Sequence, residues 1–185
     1  MKVKALTKIT SGVVASLAVV LLPVSTANAA TQTDTPTINA TIGETITLAV
    51  SGNVTIAAVP GGGVATGSHD ATVSTNNTTG YRLNLSSNST ATTLAKGADV
   101  LGASTAPFGT PTVLGNDEWG YRIGSFAAGT YAGIVSNADT PATIRTTPTT
   151  ASNEVTQVTW GVNVVSAKPS GTYSRQVLYT AITNN

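Results

Sequence analysis

The chain has 185 residues, with nine Lys and Arg against eight Asp and Glu, one His and no Cys. So few charges leave no basic patch, the electrostatic footprint that nucleic-acid binding requires, and without Cys neither disulfides nor thiolate metal sites form.

The first element is targeting sequence. Lys2, Lys4 and Lys8 form a basic head, and Val13 to Leu22 is an apolar run closed by Pro23. Ala27-Asn28-Ala29 then places small residues where a signal peptidase reads. This predicts a signal-peptide helix over 1–29, cut between Ala29 and Ala30. The apolar run is shorter than the ~20 residues of a spanning helix, so no membrane span is expected after cleavage. The expected location is secreted or at the cell surface. Beyond Ala29 six basic residues face eight acidic ones, so the exported part is mildly acidic.

Residues 30–36 read as a flexible leader and 37–185 as one domain, a size that holds a real core. Helix formers are scarce there, and Thr and Val recur with a period of two. In 45–50 the apolar set is Ile46, Leu48 and Val50; in 53–58 it is Val54 and Ile56. Ser51-Gly52-Asn53 between them predicts a local hairpin. Pro60-Gly61-Gly62-Gly63 and Asn76-Asn77-Thr78-Thr79-Gly80 are turns. Tyr81, Leu83 and Leu85 alternate with polar residues. Residues 94–117 read as a long excursion over a sheet, with a helical turn near Leu94. Val158, Trp160, Val162 and Val164 make another strand, with Trp160 in the core. Residues 177–182 are apolar on both faces, which predicts a central strand. The expected fold is all-β: an antiparallel two-sheet sandwich, Ig-like or WxL-like.

Candidate chemistry is thin. His69 stands beside Asp70 on a predicted strand, where neighbours point to opposite faces, so Asp70 is not placed to orient it for catalysis. It reads as a surface histidine. Asp117-Glu118 offers oxygen ligands without a spaced calcium loop. Lys96 and Lys168 are the only lysines of the exported part available for a Lys–Asn cross-link. The Asn-x-Ser/Thr triplets at Asn39, Asn53, Asn76, Asn77, Asn84 and Asn88 arise readily in a Thr-rich chain. Trp119-Gly120-Tyr121-Arg122 puts two aromatics on one face, and Trp119, Tyr121 and Arg122 form a candidate ligand platform. No cofactor is expected, and the chain reads as not an enzyme.

From residue 73 on, the chain resembles secreted β-sandwich surface proteins of reduced-genome bacteria with Gram-positive-like envelopes. The residues concerned are 73–86, Trp119 to Arg122, 156–162 and 168–181. The likeness extends more distantly to the WxL domain. Here Trp160-Gly161-Val162 and Tyr81-Arg82-Leu83 stand nearest to its two Trp-x-Leu elements. The resemblance implies a structural or adhesive protein that associates non-covalently with a cell-wall polymer, or with another surface protein or glycan. The local hairpin at Ser51 favours a self-contained monomer. The alternative is a polymer subunit that donates residues 37–50 as a strand to a neighbour; a carbohydrate-active enzyme stands behind both.

Overall fold

The computed structural model describes residues 31–165 and 168–185. The expected signal peptide, with Ala27, Ala29 and Ala30, lies outside the described residues. Residues 31–40 have no regular secondary structure and are exposed; they fall in a unit separate from the compact unit Thr41–Asn185.

The described residues are all-β. The strands are β1 (Ile46–Val50), β2 (Val64–Thr75), β3 (Tyr81–Ser87), β4 (Leu94–Lys96), β5 (Asp99–Ala103), β6 (Glu118–Ile123), β7 (Ala142–Thr147), β8 (Ala151–Asn163) and β9 (Val177–Thr183). Six form one sheet, in the order β1-β2-β8-β6-β5-β4, and three form the other, β7-β3-β9. Alternation explains the packing, because successive side chains on a strand take opposite faces. Ala71 and Val73 of β2, Tyr81, Leu83 and Leu85 of β3, and Val158, Trp160 and Val162 of β8 share one buried core.

Four expectations need correction. The local hairpin does not form. Ile46 pairs with Thr75 and Val50 with Ala71, so β1 lies along β2. Residues 53–58 form no strand. They cross the inner face of β2 at Gly67, where an added Cβ would meet Val54 at 2.7 Å and Ile56 at 3.1 Å. The missing side chain opens the hollow that Val54 and Ile56 fill, and a segment used as filling is not free to pair with β1. Second, β9 is an edge strand, bonded to β3 alone. Its apolar outer residues Leu178 and Ile182 stand in solvent. Third, Leu94 begins β4 rather than a helical turn. Fourth, the sheet is not purely antiparallel. Gly102 and Ala103 pair parallel with Glu118 and Trp119, and the loop between them supplies the crossover that a parallel pair needs.

Gly80 makes the tight turn from β2 into β3. Its φ is +83°, and a Cβ there would run into the Thr147 carbonyl. Both reasons demand glycine. Beside it the Asn77 side chain donates to the Asn184 carbonyl at 2.6 Å, and Asn184 donates to the carbonyls of Thr79 and Thr147. This clasp ties the end of β9 to the β2–β3 turn.

Candidate functional site

Strand β6 directs Trp119 and Tyr121 inward. Trp119 is 4% exposed and stacks on Trp160, itself 5% exposed, with ring centroids 5.5 Å apart. The Trp119 indole N–H donates to the Thr92 carbonyl at 3.0 Å. Tyr121 is fully buried at 5.7 Å from Trp160, and burial pushes its phenol pKa up. Of the three residues expected to form a platform, two are therefore core and offer no face to a ligand. Only Arg122 reaches the outer side, paired across from Thr159 of β8.

His69 is not a plain surface residue. It faces inward from β2 and completes the aromatic cluster. Its Nδ1 lies 3.2 Å from the Gly52 carbonyl and its Nε2 lies 2.6 Å from the Tyr179 hydroxyl. A carbonyl only accepts, so Nδ1 carries the proton and Nε2 accepts from Tyr179. The neutral ring is thus satisfied on both nitrogens. Burial lowers its pKa, opposed by the Gly52 carbonyl and the Asp70 charge. Sequence reasoning missed this, although the phase Gly67, His69, Ala71, Val73 already placed His69 on the inner face.

The acidic pair and the lysines are also committed. A Glu118 oxygen accepts from the Gly115 N–H at 2.8 Å. Asp117 accepts from the Val165 N–H at 3.1 Å and faces Lys168 at 3.6 Å. Lys168 donates to the Val100 carbonyl, and Lys96 donates to the Ser170 carbonyl and lies over the Tyr173 ring. Among the described residues no cluster of three His, Asp or Glu side chains is placed to hold a metal.

An opening lies elsewhere. Strand β6 stops at Ile123, opposite Val158, while β8 extends back to Ala151. Residues 151–157 therefore have β2 on one side and no strand on the other. With β7 above, this leaves a groove of about 520 Å³ lined by Arg122, Ile123, Ile144, Arg145, Thr156 and Gln157. Arg145 of β7 ion-pairs with Glu154 of β8 across the gap. Thr156 is 7% exposed, and its hydroxyl has no hydrogen-bond partner; the buried Tyr81 hydroxyl has none either. Burial first, and then the Glu154 charge, raise the Tyr81 pKa. The groove offers the unsatisfied Thr156 hydroxyl, apolar isoleucines and a bare strand edge. Sequence periodicity carries no sign of it, because it depends on where two strands end relative to each other.

No protein-family model matches this chain, no curated protein matches it, and no solved structure matches its fold.

Proposed function

We propose that the chain is an exported, non-enzymatic structural or adhesive protein of the cell surface, associating non-covalently with a wall polymer or another surface. The observation that carries this reading is where the chemically capable side chains go. His69, Trp119, Trp160, Tyr121 and Tyr179 are bound to one another inside the sandwich-like core. The outward faces carry many Thr, Ser and Asn side chains, with Val155, Leu178 and Ile182 exposed among them. The leader sequence and the WxL-like residues support the same setting, with Arg122 at the groove rim as the remaining outward member of the expected platform.

Fractionating the producing cells into wall, membrane and medium tests this. The protein is expected in the wall fraction or the medium, with an N-terminus at Ala30. Recovery from the cytoplasm with Lys2 to Lys8 intact would overturn it.

A second reading, the polymer subunit, is favoured by one specific observation. Ile38 and Ile42 are 92% and 86% exposed just ahead of β1.

A further inference from the structure

We propose that residues 38–42 of one molecule add as a strand to the bare edge of β8 in a second copy of this chain, filling the groove between β6 and β7. This deepens the polymer reading.

The donor is Ile38-Asn39-Ala40-Thr41-Ile42, which alternates apolar and polar with the period of a strand. It forms no strand within its own chain, and both isoleucines stand in water. Isolated exposed apolar residues are ordinary; two of them in strand phase, on a chain that also carries an unpaired edge, are a complementary pair.

The acceptor is residues 151–157 of β8. Along a strand, successive N–H and C=O groups point to alternate sides, so half of these point away from β2. Among the described residues no backbone hydrogen bond reaches them from that side. Ile123 and Ile144 give the groove an apolar wall for Ile38, Ala40 and Ile42. Asn39 and Thr41 would then face outward beside Val155 and Gln157. Val155 is 51% exposed as the edge stands. The Arg145–Glu154 pair crosses the groove, but it is solvent-exposed and holds weakly in water.

The occupant is a second copy, because the segment cannot seat along its whole length on its own chain's edge: Ile42 is tethered too close to Gly43. The Asn76 side chain donates to the Gly43 carbonyl at 2.9 Å and accepts from the Thr45 N–H at 2.7 Å. These bonds hold Gly43 at the foot of β2. The vacant position lies two strand spacings from β2, about 10 Å away, while Ile42 is one residue, about 3.8 Å, from Gly43. Each molecule would then present both a donor and an acceptor, so the contact is head-to-tail and does not close on itself.

The test uses the chain from Ala30 onward, measured by light scattering over a concentration series. Open-ended multimers that grow with concentration are expected. An Ile38→Asp/Ile42→Asp variant should be monomeric with an unchanged melting temperature, since both positions lie in solvent in the free chain. Excess peptide of residues 37–43 should dissociate the wild-type multimers. Amide exchange should slow at Ala40, Ile42 and residues 151–157 in multimers only. Wild type that remains monomeric throughout overturns the proposal, as do multimers that survive the double substitution. Protection of the same amides in the monomer also overturns it, by making the chain its own donor. Because assembly is measured on purified protein, a failure in cell fractionation leaves this result standing, and the reverse also holds.

Discussion

Strand β8 is two environments in one element. Its second half, from Val158 to Asn163, runs between β2 and β6, and Trp160 there lies against Trp119, Tyr121 and His69. Its first half, 151–157, has a ladder on one side only, an exposed Val155 and a buried hydroxyl without a partner. The inward phase is apolar in one half, at Val158, Trp160 and Val162, and polar in the other, at Glu154 and Thr156, with Val155 turned outward. Local sequence and missing neighbour thus agree in making one half core and leaving the other open.

The comparison can be broken most forcefully in the closed half. Trp160→Ala should cost about 3–5 kcal/mol in denaturant unfolding, as large aromatic deletions in a core do; a loss under about 1 kcal/mol would mean that the aromatic stack is not the anchor it looks. On the outer face of the same half, the Tyr131 ring sits where a Gly161 side chain would be. Gly161→Ala should therefore cost about 1–3 kcal/mol by overpacking, and Tyr131→Ala in the same chain should recover part of that loss.

Acid probes the cluster through His69. Its folded pKa lies below the unfolded 6.5 because burial disfavours the charged ring. Above pH 6.5 both states are neutral and the shift changes nothing. As pH falls through 6.5 toward the folded pKa, the unfolded chain binds the proton first and stability drops. Melting temperatures at pH 7.5 and 5 should show this drop, and His69→Gln should reduce it.

The open half should respond little. Arg145→Ala removes an exposed ion pair and should change stability by at most about 1 kcal/mol, with the difference shrinking in high salt. Smallest of all is Thr156→Val, which swaps an unpartnered hydroxyl for a methyl of similar size. It should be neutral or slightly stabilising by thermal melt. A marked loss would reveal a partner for that hydroxyl and close the supposed opening.

Alternation made the strands around Ile46, Leu83, Tyr121, Trp160 and Tyr179 legible, because a period of two is a local property. Pairing was not legible. Ser51-Gly52-Asn53 has hairpin chemistry, yet β1 lies along β2, and the reason, a hollow at Gly67 that Val54 and Ile56 fill, lies on the inner face of β2. The two apolar faces of 177–182 suggested a central strand, but Leu178 and Ile182 are exposed at an edge. Trp119 and Tyr121 showed their shared face but not which way it pointed. The neighbouring Trp160, on a strand forty residues later, decides that by stacking.

The smaller sheet also bears on timing. Leu83 pairs with Ala181, and Arg82 with Ile182, across separations of 98 and 100 residues in the compact unit Thr41–Asn185. Strand β3 therefore stays without its β9 partner until that distant stretch of chain has arrived and the Asn77–Asn184 clasp has shut. Wiring of this kind belongs to slow folders, about milliseconds to seconds, in contrast to helical bundles. Under the export proposed above, such slowness would be an asset: the chain would stay linear while threaded through a narrow channel and gain its shape on the far side.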